Sequence, residues 1–390
     1  MSRYFKQLKC LQFRTSRGPT AVVATVTVSL LGLLTVSCGG GSTAVQQPPP
    51  PTFTTIDAPG AGPDGTFAFD INASGEVTGI FEDQNGAVHG FIRDATGTLT
   101  AFDGPGAVSQ GPGQIGTESL GINASGTTVG TFADAQGFDH GFIRTSGGTF
   151  TIIDAPGSST TTAWSINDSG EIAGTFDDVG GMHGFVREAD GTFTVFNVGP
   201  IAARGFGVTR ISESGTVLGS LTDANISLHG YLFILGANGG LGLLDVPGDN
   251  VGAESGTLPL DINSSSADVG ALVSGLLGQQ IELSQSFVRD PMTGTYTVFG
   301  PPVTGIQTSQ ALSINDGGTI VGYYLDANFI RHGYIRAADG GFVTFDDPDA
   351  AQLRVSNINE GTLPRRINAS GTIVGVFSDA AGMSHGFLRQ

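Results

Sequence analysis

The chain has 390 residues, 62 of them glycine and only two cysteine, and its 35 Asp and Glu outnumber its 17 Lys and Arg for a net charge of −18. That balance argues against nucleic acid or an anionic membrane surface as a partner, because both are bound by neutralising phosphates. The glycine content and the absence of any long apolar helix pattern after the first fifty residues point to short strands and turns.

The first 51 residues differ in composition from the rest. Arg3, Lys6, Lys9, Arg14 and Arg17 stand in the opening stretch without an acid, and Ala21 to Val36 carry nothing more polar than Thr and Ser hydroxyls. These are the basic and apolar regions of an export signal. As a helix the apolar run spans about 24 Å, short of the roughly 20 residues a membrane-crossing helix needs. It ends in LLTVSC, Leu33 to Cys38, which resembles the lipobox of bacterial lipoproteins, although Thr35 stands where leucine is usual. The resemblance implies a signal over residues 1–37 and a lipid on Cys38; an ordinary cleaved signal peptide is the alternative. Residues 38–51, CGGGS and then QQPPPP, read as a flexible and then semi-extended spacer. Either reading makes the protein exported, a cell-envelope lipoprotein or a secreted protein, touching membrane only through a lipid anchor. Loss of the leader removes both lysines and Cys10, leaving twelve arginines against 35 acids, a charge near −23, and Cys38 alone. No disulfide can form within such a chain, so a core must hold it together.

From residue 52 onward the sequence repeats. Ile-Asn or Ile-Ser followed by a Gly/Ser turn recurs at DINASGEVTG, GINASGTTVG, SINDSGEIAG, RISESGTVLG, DINSSSADVG, SINDGGTIVG and RINASGTIVG. The isoleucines are Ile71, Ile122, Ile166, Ile211, Ile262, Ile314 and Ile367, spaced by 51, 44, 45, 51, 52 and 53 residues. Each repeat holds four short stretches rich in Val, Ile, Thr and Phe, as in FAFDI, EVTGIF, HGFIR and TLTAF, separated by turn residues. Asn bonding the backbone two residues on, and Gly supplying positive φ, make NASG a hairpin turn. Four strands per repeat and seven repeats predict an all-β fold, a seven-bladed β-propeller of four-stranded blades over residues 52–390. An open β-solenoid is the alternative.

The fourth stretch appears only six times after its own repeat, from TLTAFDGPG to GFVTFDDPD, because the chain stops at HGFLRQ. The seventh copy, TFTTIDAPG, precedes repeat one. This offset predicts that the N-terminal strand pairs with the C-terminal blade and closes the ring, which removes an exposed sheet edge. A monomer is expected.

The best-preserved motif is His-Gly-Phe/Tyr at His89, His140, His183, His229, His332 and His385, usually followed by Ile/Val/Leu-Arg. It resembles the HAF-family extracellular repeat of bacterial secreted proteins, with Gly where that signature has Ala. The resemblance covers residues 65 to 390 and implies an exported repeat protein, but it carries no activity with it. Repeat five departs, with Gln285 in the His position and extra residues in LVSGLLGQQIELS.

Five or six residues before each His stands Asp83, Asp134, Asp178, Asp223, Asp326 or Asp379. An Asp–His pair suits catalysis or metal binding. Six copies spread around a ring cannot converge on one substrate, so the pairs read as structural. The F-x-R arginines, Arg93, Arg144, Arg187, Arg289, Arg336 and Arg389, are expected to pair with acids of the turns. No D-x-D-x-D-G loop is present, so no metal site or cofactor is expected; calcium stays open without a supporting motif.

Function is sought where the repeats differ. The residue before each isoleucine is Asp70, Gly121, Ser165, Arg210, Asp261, Ser313 or Arg366. Alternation places it opposite the isoleucine, on the innermost strand, so these side chains line a central channel. Asp70, Ser165, Arg210, Asp261, Ser313 and Arg366 are the candidate ligand-binding residues, with hydrated polar groups as the alternative. Trp164 and Arg365 share the preceding position, and Arg204, Arg331 and Arg354 fall outside the repeat. The expected function is a binding or scaffold propeller for protein or glycan. The alternative is a propeller enzyme, a hydrolase or lyase, acting on an extracellular glycan with channel-mouth acids; no catalytic residue is assigned.

Overall fold

A computed structural model describes residues 50–108, 116–197, 205–236, 240–248, 255–277, 281–305, 308–352 and 360–390. The leader, Cys38, most of the spacer, Arg204 and Arg354 lie outside the described residues.

Among the described residues there is no helix. The strands are β1 (Phe53–Ile56), then β2 (Ala61–Ile71), β3 (Val77–Asp83), β4 (Val88–Arg93) and β5 (Leu99–Phe102) in repeat one. Repeat two has β6 (Thr117–Ile122), β7 (Thr128–Ala133), β8 (Asp139–Arg144) and β9 (Phe150–Ile153). Repeat three has β10 (Thr160–Ile166), β11 (Ile172–Asp178), β12 (Gly181–Arg187) and β13 (Phe193–Phe196). Repeat four has β14 (Gly205–Ile211), β15 (Thr216–Thr222), β16 (Leu228–Ile234) and β17 (Gly240–Leu244). Repeat five has β18 (Gly256–Ile262), β19 (Asp268–Leu277), β20 (Ile281–Arg289) and β21 (Tyr296–Phe299). Repeat six has β22 (Thr308–Ile314), β23 (Ile320–Leu325), β24 (Arg331–Arg336) and β25 (Phe342–Phe345), and the chain ends with β26 (Gly361–Ile367), β27 (Ile373–Ser378) and β28 (Ser384–Arg389).

Within each repeat consecutive strands pair antiparallel, as the short turn-bounded stretches require. β28 finds its outer neighbour in β1, in the register Phe53↔Arg389 to Ile56↔Gly386. Neighbouring sheets are stitched at Leu228↔Gly256 and at Arg331↔Gly361 by a single parallel bridge each. The first strands touch in sequence order, β2 to β6 to β10 to β14 to β18 to β22 to β26, and β26 touches β2.

Burial follows strand position. β7 and β27 are buried at every residue, as strands covered on both faces are, whereas β5 and β25 expose their central residues. The aromatic of each His-Gly-aromatic motif points inward, and Phe91, Tyr231 and Phe387 are fully buried. Each such side chain contributes roughly 1.5–3 kcal/mol by leaving water. The motif's glycine is a matter of space. At Gly184 and Gly333 a methyl group would run into the rings of Phe196 and Phe345 from the fourth strand.

The Asn of the NASG turn has a second role beyond the turn itself. Asn72 Oδ1 accepts the Glu76 amide at 2.9 Å while its Nδ2 donates to Asn123 O of the next repeat at 3.0 Å. The same reach joins Asn123 to Asn167, Asn167 to Ser212, Asn263 to Asn315, Asn315 to Asn368, and Asn368 to Asn72.

Candidate functional site

Every first strand carries a β-bulge just before its isoleucine, for example between Ala68 and Asp70 and between Pro364 and Arg366. The extra residue re-aims the side chains around it. The bulge residue itself is Trp164 in repeat three and Arg365 in repeat seven.

The bulges bring the charged candidates together. Arg210 Nη1 donates to Asp70 Oδ2 at 2.9 Å and Arg210 Nε lies 3.6 Å from Asp261 Oδ1. Arg366 Nη1 lies 2.8 Å from Asp261 Oδ1, an ion contact without a straight hydrogen bond, and Arg366 Nε lies 3.7 Å from Asp70 Oδ1. Each arginine therefore spans both aspartates, closing a quartet of two anions and two cations. Asp70 and Asp261 are 1% and 3% exposed, while the arginine side chains keep 21% and 17%. Burial opposes the charge on Arg210, and the two carboxylates outweigh it, holding the guanidinium above its ordinary pKa.

The remaining lone pairs are also used. Asp70 Oδ2 accepts the Ile122 amide at 3.2 Å, and Asp261 Oδ2 accepts the Ile314 amide at 3.0 Å and the Ser313 hydroxyl at 2.7 Å. Ser165 and Ser313 accept the amides of Ile211 and Ile367, each at 3.3 Å. Gly121, the remaining member, has no side chain to contribute. The candidate residues thus bind one another and the backbone of neighbouring repeats.

The six histidines sit elsewhere, at the start of each third strand and partly exposed. Each faces an Asp or Asn side chain at both ring nitrogens. Nε2 faces the sequence-paired aspartate, at 2.9 Å for His183–Asp178 and 3.4 Å for His140–Asp134 but 3.7–3.8 Å in the other four. Nδ1 has a nearer acid that sequence reasoning missed, at the end of the fourth strand: Asp103, Asp154, Asp245, Asp346 and Asp57 at 2.7–3.0 Å, with Asn197 facing His183. The rings of His89, His183, His332 and His385 stack at 5.0 Å on Phe81, Phe176, Tyr324 and Phe377. Burial and the carboxylates act in opposition at His140 and His229, and the carboxylates prevail; at His332 the Asp346 hydrogen bond leads. All three pKa values are raised. The loop aspartates brace the turn: Asp83 Oδ1 accepts the amides of Ala87 and Asn85 at 2.8 Å.

The F-x-R arginines differ from expectation. Only Arg289 meets an acid among the described residues, donating to Asp268 Oδ2 at 3.1 Å. Arg144, Arg336 and Arg389 lie over the rings of Phe102, Phe299 and Phe345 at 4.6–4.8 Å. Each of these rings ends the fourth strand of the preceding repeat, so the guanidinium finds a π-face where an acid was expected.

No protein-family model matches the chain, and no curated protein matches it. Among solved structures it is similar to streptogramin B lyase, at TM-score 0.54 and 13% identity over 87% of this chain and 98% of that one. It is also similar to virginiamycin B lyase from Staphylococcus aureus, at TM-score 0.53 and 13% identity over 87% and 99% of the two chains. The β-propeller domain of the trilobed protease from Pyrococcus furiosus, described as having an open velcro topology, matches at TM-score 0.53 and 10% identity over 83% and 97%. The described residues from Thr52 onward have a β-propeller fold. At these identities the likeness extends to the fold and to nothing finer, and the neighbours have different activities.

Three features of this propeller break its repetition. In repeat five, where Gln285 replaces His, a recess of about 270 Å³ is lined by Ser284, Gln285, Phe299, Pro301, Thr308 and Ser309. In repeat two, burial and then the charge of Glu118 push the Asp139 carboxyl up to about 6. In repeats six and seven, Arg331 lies over Tyr323 at 5.2 Å and Arg365 over Phe69 at 5.5 Å. Among the described residues no three His, Cys, Asp or Glu side chains converge as metal ligands would.

Proposed function

We propose that the chain is an exported protein of the HAF-repeat type, tethered through a lipid on Cys38 or secreted, whose residues 52–390 form a seven-bladed propeller closed by β1 and act as a binding module for protein or glycan. The cyclic contact of the first strands, the Asn368–Asn72 hydrogen bond and the β1–β28 pairing support the closed ring.

The observation that carries binding over catalysis is the Asp70–Arg210–Asp261–Arg366 quartet. General acid–base work on a glycan needs two carboxylates within roughly 5–10 Å, with one holding a proton. Asp70 and Asp261 are instead ion-paired, hydrogen-bonded to backbone and buried.

A glycan and protein array probed with the mature chain tests this reading. Saturable binding of a ligand without turnover is expected; an array with no binder, or steady conversion of the bound ligand, contradicts it. The enzyme reading rests on a separate observation, the high pKa of Asp139 beside Glu118. It predicts turnover of a glycan that Asp139→Asn abolishes.

A further inference from the structure

Four arginines of repeats four, six and seven are in two different situations. Arg210 and Arg366 belong to the quartet, and each contacts both aspartates. Arg331 and Arg365 have no carboxylate within ion-pair distance among the described residues, in a protein with twice as many acids as bases. Both are nevertheless enclosed by protein. The Nε of Arg365 is buried and has no hydrogen-bond partner. A buried cation left without a counter-charge is costly, and proteins retain such groups chiefly where a ligand supplies the missing charge.

The two lie close to one another in the fold. Arg365 is the bulge residue of β26, and Arg331 opens β24 at the bridge to Gly361 of that same strand. Each guanidinium carbon lies over a ring, Tyr323 for Arg331 and Phe69 for Arg365. Arg331 also hydrogen-bonds Tyr323, whereas the Nε–H of Arg365 has no acceptor; a guanidinium N–H so placed can donate to a planar oxyanion. Burial and then the nearby charges of Arg331 and Arg366 pull the Arg365 pKa down to about 10, the mark of a cation among cations. Leu363, on β26, packs with Tyr323.

Resting on the binding-module reading above, we propose that Arg331 and Arg365 form an oxyanion site that takes the carboxylate of an acidic sugar. A carboxylate suits this pair better than a spherical anion because it is planar and bidentate. The overall negative charge of the protein disfavours polyanions at long range, so the site selects isolated acidic groups.

The test is arginine ¹⁵Nε NMR of the mature protein titrated with glucuronate, with glucose and sodium chloride as controls at matched concentration and ionic strength. The Arg365 Nε resonance is expected to shift saturably with glucuronate alone, and Arg365→Gln is expected to weaken glucuronate binding about tenfold, the scale of one charge-assisted hydrogen-bonded contact. Arg331→Lys, which keeps the charge and loses the fork, is expected to weaken it less than Arg331→Gln. No Arg365 shift with glucuronate, or an equal shift with inorganic sulfate, overturns the carboxylate site. That failure is separable from failure of the binding-module reading, because array ligands would still bind and Arg365→Gln would leave their affinity unchanged.

Discussion

Arg210 and Asp70 stand 140 positions apart in the chain, and their side chains meet at 2.9 Å inside the protein. The bond joins repeat four to repeat one directly, without passing through the repeats between them. With Arg366 and Asp261 it makes a cross-brace that a purely nearest-neighbour array lacks.

This brace predicts an asymmetric mutational response. Arg210→Met leaves Asp70, which is 1% exposed, short of a counter-charge and should cost about 3–5 kcal/mol, whereas replacing all four members by apolar residues should cost much less. Urea unfolding of the single and quadruple variants measures the difference; equal losses would count against the quartet as a coupled unit.

Spacing of turns made the strands legible, because NASG and the Gly-bounded stretches set each length locally. Even the displaced last strand could be read, since TFTTIDAPG resembles the six other fourth strands, and it lies in register with β28. The partners of the charged groups were less accessible. Pairing of Asp70 with Arg210 and Arg366 depends on three repeats meeting, and sequence spacing only marks the positions as unequal. The Nδ1 partners did leave a signal, an Asp or Asn ending the fourth strand fourteen residues after most histidines, as Asp103 follows His89. The arginine partners were misjudged because abundant acids suggested ion pairs, while the neighbouring repeat presented rings.

The histidine clamps predict a pH dependence with a definite sign. His140, His183, His229 and His332 have folded pKa values above 6.5, so their contribution to stability is complete below 6.5 and is lost as pH rises through the folded values. Thermal midpoints should fall as pH rises above 6.5, and the slope should flatten in Asp346→Asn, which weakens the His332 clamp. A midpoint rising over that window would contradict the clamp.

Second-strand glycines are predicted to be intolerant for a steric reason. At Gly130 and Gly375 a Cβ would collide with the carbonyl oxygens of Glu118 and Leu363, where the first strand bulges. Ala at either site should cost about 1–3 kcal/mol or more, as overpacking against immobile backbone does. Gly137→Ala, in an open turn at φ 85°, should cost about 1 kcal/mol. Denaturation midpoints of the three variants order them.

The inter-repeat Asn latch gives a further test. Asn368→Ala removes both the turn cap at the Thr372 amide and the bond to Asn72 O, and should cost about 1–3 kcal/mol, more than Ser370→Ala. Equal losses for the two would assign the asparagine to its turn alone.

Closure by β1 is the central claim, and hydrogen exchange reads it most directly. In a chain of residues 38–390, amides of residues 384–389 are compared with those of a variant lacking residues 52–56, the strand that pairs with them. Removing Ile56, buried against Leu388 and Val374, should strip protection from β28 and lower the unfolding midpoint, while a deletion of equal length in the preceding spacer changes neither. Unaltered protection of β28 after the loss of β1 would contradict a ring closed by its N-terminal strand.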